Sequence, residues 1–295
     1  MEAYSKMETN LIGCIKKEIS SLTVAAVSRC LTLLEVLAGE AGSVELSDLA
    51  GRLDMPASAV HRLLTTLISH GWVTQDAASQ NYALSLRLSA LAFRNLDARN
   101  VPDVVQSVLN RLAAETKEYC RLAILENEDL VWVARAQGAT AGLRYDPDMG
   151  QEIVLHATAN GKAWLSTLPE ERALEIVYSR GFTAKRTLGP NSARSIDELR
   201  VRLNETRERG FATSVEEGEA GTAAVAVPFR TSSDAEAPVA GTISVAGPLM
   251  RITEDRWPDL VRSLNKAAAE LSDIWPLRVR QRTLTPLIVA TGAVR

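Results

Sequence analysis

The stretch DMPASAVHRLLTTLISHGWV (54–73) places Ser58, His61, Arg62, Thr65 and Thr66 on one side of a helical period. Arginine can bond guanine O6 and N7, histidine and serine serve several bases, and threonine meets a thymine methyl or a phosphate. The opposite side carries Val60, Leu63, Leu64, Leu67 and Ile68 at i, i+3, i+4, i+7 and i+8, the stripe of a helix packed on a core. The polar side therefore has the chemistry of a DNA-reading surface. A solvated helix of a regulatory domain is the alternative, although such a face ordinarily carries Glu and Lys.

Two further stretches could hold a small ligand. In LHATANGKAWLS (155–166), Ala159, Asn160 and Gly161 open a helix, whose free N–H groups suit a carboxylate; a tight helix-to-sheet contact would also demand small residues there. It is no phosphate loop, since no glycine stands five residues before Gly161 and no Ser or Thr follows Lys162. In GTISVAGP (241–248), strand alternation puts Thr242, Ser244 and Ala246 on one face and Ile243 and Val245 on the other. That small-residue face either leaves room for a ligand or packs under helices.

Catalytic patterns are weak. The histidines are His61, His70 and His156, with no HExxH, no GxSxG and no zinc-ligand spacing. His156 with Ser166 or Ser244 is the one nucleophilic pairing that can be drawn. Neither an enzyme nor a metal or other cofactor is expected. Cys14, Cys30 and Cys120 lack CxxC spacing and sit among apolar residues, as buried reduced thiols do.

The elements that must position these residues follow from 295 residues, enough for about two domains. Net charge is −3, no apolar run approaches the ~20 residues of a membrane span, and the first residues lack a signal-peptide layout, so a cytoplasmic protein without membrane contact is expected. After an N-terminal extension (1–21), a helix spaces Val27, Leu31, Leu34 and Leu37 on one face, and Gly39 and Gly42 end it. Ser47, grouped with the DNA-facing residues, is the expected N-cap of a second short helix. Asp54-Met55-Pro56 then turns the chain into the 58–70 helix, a helix-turn-helix pattern. Alternation in WVTQD and NYALS marks a hairpin whose tip, Ser79, Gln80 and Asn81, has the place of a DNA-contacting wing.

The expected domains are a winged helix-turn-helix over 22–86, a linker helix over 87–101, a regulatory domain over 102–276 and a C-terminal tail over 277–295. YCRLAILE, DLVWVARA and AGLRYD are strand-like. Three helical stretches follow, the last capped by Ser195 and Glu198 and stopped by Gly210, before strands return in FATSV, AAVAVPF and VAGTISVAG. Strands grouped in this way indicate an α+β domain. Within residues 20–95, Arg29, Arg52, Arg62, Arg87 and Arg94 are balanced by six carboxylates, so one module should bind DNA weakly and a dimer on two half-sites is required.

In the order and spacing of MPASAVHRLLTTLISHGWV, YALSLRLSALA, LHATANGKAWLS, RGFATSVEEGEAGTAAVAVPF and GTISVAGPLMRIT, the chain resembles the IclR family of bacterial transcriptional regulators over nearly all of 22–275. The resemblance implies an α+β protein in which an N-terminal winged helix-turn-helix is joined by a linker helix to a GAF/PAS-like effector-binding domain. It further implies homodimers that pair into tetramers, double-stranded operator DNA as partner, and control of catabolic operons by small carboxylic or aromatic acids. Carried over by position, the DNA face is Ser58, His61, Arg62, Thr65 and Thr66, and the effector pocket is Thr158, Ala159, Asn160, Gly161, Ser214, Thr222, Ala224, Thr242, Ser244 and Ala246. The chain has Ser214 where relatives often have an acid, Ala224 and Thr242 where they often have cysteines, and Ala246 where a serine is usual. Those changes enlarge the pocket and remove charge, which favours an effector larger or more apolar than a three-carbon keto acid, such as an aromatic acid whose carboxylate meets the Asn160 and Gly161 amides. The rival expectations are a ligand-sensing module without specific DNA binding and, further off, an enzyme of the α+β domain. In the tail, Arg278, Arg280 and Arg282 would serve an interface or nothing.

Overall fold

The computed structural model describes residues 24–276 apart from 41, 99–100, 149 and 185–186. The expectations for the 1–21 extension, Cys14 and the 277–295 tail lie outside the described residues. The chain divides into two compact units, 1–95 and 96–295.

The first unit builds α1 (Ala25–Ala38), α2 (Leu46–Arg52), α3 (Ala57–Ser69) and an antiparallel hairpin of β1 (Val73–Gln75) and β2 (Tyr82–Leu84). Its core joins Leu33 and Leu37 of α1, Leu49 of α2, Val60, Leu64 and Leu67 of α3, and Val73 and Tyr82 of the hairpin. An isolated bridge from Val44 to Tyr82 ties the entry to α2 onto the wing. The expected stripe of α1 is displaced. Leu34 packs at the edge of this core, whereas Val27 and Leu31 stay 55% and 57% exposed, because only the second half of α1 meets the other elements. Ser47 is not the N-cap of α2: Glu45 occupies that position, and the Ser47 hydroxyl, one residue inside the helix, donates to Glu45 Oε2 at 3.3 Å. Asp54 makes the α2–α3 turn at φ 49°, a left-handed conformation that a short polar side chain tolerates.

Helix α4 (Arg87–Ala98) follows the wing, and α5 (Val101–Thr116) leads into the sheet of the second unit. That sheet is antiparallel throughout, in the order β4-β3-β7-β6-β5, with β3 Tyr119–Glu126, β4 Asp129–Gln137, β5 Ala212–Val215, β6 Thr222–Arg230 and β7 Val239–Pro248. One face packs Leu122, Val225, Val227, Ile243 and Val245 against α5 and α9 (Trp257–Ile274). The other carries small and polar residues beneath α6 (Ala159–Leu165), while α7 (Glu170–Arg180) and α8 (Ile196–Arg209) complete a second core around Trp164 and Leu199. AGLRYD forms no strand. After Gln137 the chain leaves the sheet at Gly138, where any side chain would strike the Ala113 carbonyl at 2.0 Å, and the described residues of 139–158 run without helix or strand. Ser195 caps α8 as expected by accepting from Glu198 N–H, and Gly210 stops it at φ 79°. Glu198 reaches back one residue further than a capping box requires, accepting from Arg194 N–H at 2.9 Å.

Candidate DNA interface and ligand cavity

Helix α3 begins after Pro56, buries Val60, Leu64 and Leu67, and exposes Ser58, His61, Arg62, Thr65 and Thr66 together. The face has no acidic residue. Thr65 and Thr66 donate their hydroxyl protons to the carbonyls of His61 and Arg62, at 2.9 and 3.0 Å, so toward a partner they offer oxygen lone pairs and methyl groups. No hydrogen bond or ion pair among the described residues holds the Arg62 guanidinium, whereas Arg52 on α2 is engaged by Glu40 and Asp48 and is not free for phosphate. At the wing tip, Asp76 accepts from the Ala78 and Ser79 amides and the Ser79 hydroxyl, which holds its carboxyl below the usual range and leaves Gln80 in a left-handed turn at φ 60°. Ser79 thus shapes the tip, while Gln80 stands exposed on it. Arg87, just after the hairpin, lies over the Trp72 ring at 5.6 Å.

In the second unit, strand pairing sets Ser214, Ala224, Ala246 and Tyr119 in one row across the sheet, and Ala226, Ser244 and Arg121 in the next. Opposed residues of antiparallel strands share a face. Over this face and under the start of α6 lies a cleft of about 570 Å³ counted out to its mouth. Among the expected pocket residues, Thr158, Ala159, Asn160, Ser214, Thr222, Ala224, Ser244 and Ala246 line it. Gly161 and Thr242 do not. Thr242 lies behind, fully buried, accepting from Asn160 Nδ2 at 3.0 Å. Gly161 is a packing residue: a Cβ there would stand 2.3 Å from the Leu155 carbonyl oxygen, and its N–H donates to Thr158 Oγ1 at 3.1 Å. Of the two amides expected to meet a carboxylate, that of Gly161 is therefore already bonded.

Several hydroxyls are likewise committed to the frame. Ser214 donates to the Ala157 carbonyl and accepts from Gly218 N–H, and Thr222 donates to the Glu219 carbonyl. Behind α6, the fully buried Lys162 ammonium bonds both oxygens of Glu217 at 2.5 and 2.6 Å, and Arg202 donates to the same carboxylate. This ion cluster ties the 216–221 loop to α6 and α8; burial holds the Lys162 ammonium below its ordinary pKa. His156 is buried against Phe182 with Nε2 unpartnered. Burial, then the nearby Lys162 and Arg202 charges, lower its pKa to about 4. It stands as a neutral core residue with no hydroxyl bonded to it.

The cleft also contains Arg121, Trp132 and Tyr145, which sequence reasoning passed over. The available signal was a lone arginine in the otherwise apolar start of YCRLAILE. Its guanidinium carbon lies 4.4 Å from the centroid of the Trp132 ring and 5.3 Å from that of Tyr119. Tyr145 meets Tyr119 edge-on at 5.9 Å.

An exposed recognition helix with a wing, and an α+β unit with a cleft lined by apolar and polar residues, define a ligand-responsive DNA-binding regulator. Residues 26–77 match the model of the IclR helix-turn-helix domain, and residues 93–273 match that of the bacterial transcriptional regulator IclR C-terminal domain. The chain belongs to the IclR family of bacterial transcriptional regulators. It is 31% identical over 253 residues to the acetate operon repressor of Salmonella typhimurium, covering 84% of this chain and 89% of that one. The crystal structure of an IclR transcriptional regulator from Alicyclobacillus acidocaldarius superposes with a TM-score of 0.69 at 26% identity, over 85% of this chain and 98% of that one. The fold is also that of an IclR homologue from Microbacterium hydrocarbonoxydans complexed with 4-hydroxybenzoate, with a TM-score of 0.66 at 22% identity over 87% and 100% of the two chains. The protein is a transcriptional regulator with a helix-turn-helix and an effector domain, not an enzyme. No described helix is long and apolar enough to cross a membrane.

Proposed function

We propose that the chain controls a catabolic operon in the cytoplasm as a homodimer, or a pair of dimers, that reads operator DNA through α3 and the wing and takes a small organic acid, aromatic acids included, in the cleft of its second unit. The observation that carries this reading is the cleft itself. It has a floor of alanines and small hydroxyl residues, walls that include Trp132 and Tyr145, and a buried cation at its side. Ligand pockets combine mostly apolar walls with a few placed polar groups. Acid effectors are also consistent with the 4-hydroxybenzoate held by the Microbacterium homologue.

On the DNA side, α3 supplies base contacts through Arg62 and His61, supported by Ser58, Thr65 and Thr66, and the wing supplies Gln80 and Asn81. Dimerisation brings two such modules to two half-sites, which compensates for the carboxylates that dilute the positive charge of each. The test is fluorescence anisotropy of the full-length protein on fragments of its neighbouring promoters, with and without a panel of aliphatic and aromatic carboxylates. Specific binding that one class of acid changes supports the proposal. Specific binding that no acid of the panel alters, with no thermal shift of the protein by any of them, refutes the effector half.

A further inference from the structure

Arg121 is 6% exposed, and neither a hydrogen bond nor an ion pair holds its guanidinium among the described residues. A guanidinium presents five N–H donors in a fixed fork, and a buried one is ordinarily met by a carboxylate. Here Trp132 and Tyr119 cover it with ring faces, which attract a cation but accept none of its hydrogen bonds in the plane of the fork. Its strand neighbours give it no counter-charge either. Opposite it on β4 is Arg135, whose own partners are Asp146 and Tyr119; opposite it on β7 is Ser244, 3% exposed and likewise without a hydrogen-bond partner among the described residues. Glu152 and Glu219 line the same cleft from exposed positions, and neither forms an ion pair with Arg121.

From this geometry we infer that Arg121, with the Ser244 hydroxyl beside it, is the anion receptor of the cleft, taking the carboxylate of the effector on its guanidinium fork. This inference rests on the organic-acid reading above and adds to it the contact and its direction. The carboxylate sits at the β3–β7 pair, on the sheet side, rather than at the N-terminus of α6, where Thr158 already occupies the Gly161 amide. The body of the acid then lies over the alanines of the floor, Ala224 and Ala246, with Tyr145 and Trp132 as aromatic walls. The cleft, about 570 Å³ counted out to its mouth, is of the size that takes a small monocyclic acid. Trp132 and Tyr119 pack against the guanidinium of this nearly buried side chain, so little side-chain freedom is lost when the acid binds.

The test uses the full-length protein with benzoate, 4-hydroxybenzoate and the isosteric neutral benzamide as probes, read by calorimetry and by thermal shift. Wild type is expected to prefer the two acids over the amide, and Arg121→Gln is expected to weaken the acids by about 10- to 100-fold while leaving benzamide within a few-fold. Arg121→Lys keeps the charge without the fork and should fall between. An unchanged circular-dichroism spectrum and thermal unfolding of the ligand-free variants show that they are folded. Should Arg121→Gln not fold, the acid-over-amide preference of wild type decides the question, because equal binding of benzoate and benzamide overturns the assignment. Acid binding that survives Arg121→Gln at wild-type strength also overturns it, and leaves the organic-acid reading intact. Failure of wild type to bind any acid overturns both.

Discussion

Replacing Gly161 with alanine separates the two roles open to a small residue at the start of α6. The added methyl would stand 2.3 Å from the Leu155 carbonyl oxygen and 2.4 Å from Leu155 Cα, both backbone atoms that cannot rotate away. To restore even a close 3.0 Å contact, the start of α6 must retreat by about 0.7 Å. Overpacking of this kind costs about 1–3 kcal/mol, and a backbone neighbour places it at the upper end. The better helix propensity of alanine returns about 1 kcal/mol, so a net loss of about 2 kcal/mol is expected. For a unit of this size that lowers Tm by about 4–8 °C. Gly51, inside α2 with nothing within 4 Å of its Cβ position, is the control, and Gly51→Ala should stabilise the first unit by up to about 1 kcal/mol. Thermal unfolding followed by circular dichroism reads both variants. A Gly161→Ala protein that melts within 1 °C of wild type would show that the close approach to Leu155 does not limit this position.

Further expectations concern charge and titration. Glu118, 1% exposed, accepts two bonds from Arg251 and one from Arg256 at 2.8 Å; Glu118→Ala leaves both guanidinium groups with carbonyl partners but no carboxylate and should cost about 2–4 kcal/mol in denaturant titration, the partial exposure of the two arginines keeping it below the fully buried limit. His156 is neutral when folded and takes a proton when unfolded between pH 6.5 and about 4, so its share of stability is complete above pH 6.5 and is lost as pH falls toward 4. His156→Leu should therefore flatten the stability profile in that window by up to about 3 kcal/mol, measured by chemical denaturation at each pH. Burial pushes the Cys120 thiol up to about 12, so it should react with a thiol reagent only as the unit unfolds, and reaction at the rate of a free thiol would contradict its packing. Arg62→Ala should weaken operator binding by about 1–3 kcal/mol with the loss concentrated at one base position, as read by anisotropy on single-substituted operators; a uniform loss would reassign it to phosphate.

The helix-turn-helix and wing were legible because their signals are local. The apolar stripe of α3, the Asp54-Met55-Pro56 turn and the hairpin alternation each lie within a few residues. The small-residue face of β7 was legible too, since alternation alone puts Ser244 and Ala246 opposite Val245. What escaped depends on partners far along the chain. Gly161 reads equally as an anion site or as a packing contact until Leu155 is seen against it. Arg121 is one arginine in a strand until β7 sets Ser244 opposite it and β4 brings Trp132 over it. AGLRYD has strand composition, but Gly138 has already carried the chain out of the sheet, and Tyr145 serves as a cleft wall instead. In α1 the heptad-like spacing of Val27 and Leu31 gave no warning that the rest of the unit reaches only as far as Cys30.

The central claim is that a small acid in the second unit governs DNA binding by the first. The most direct measurement is the operator Kd of the full-length protein, titrated by anisotropy at fixed salt with and without a saturating acid identified by thermal shift. A coupled regulator should show a change of about 5- to 150-fold, and by reciprocity operator DNA should change the affinity for the acid by the same factor. An acid that binds the protein tightly while leaving the operator Kd unchanged would contradict the claim.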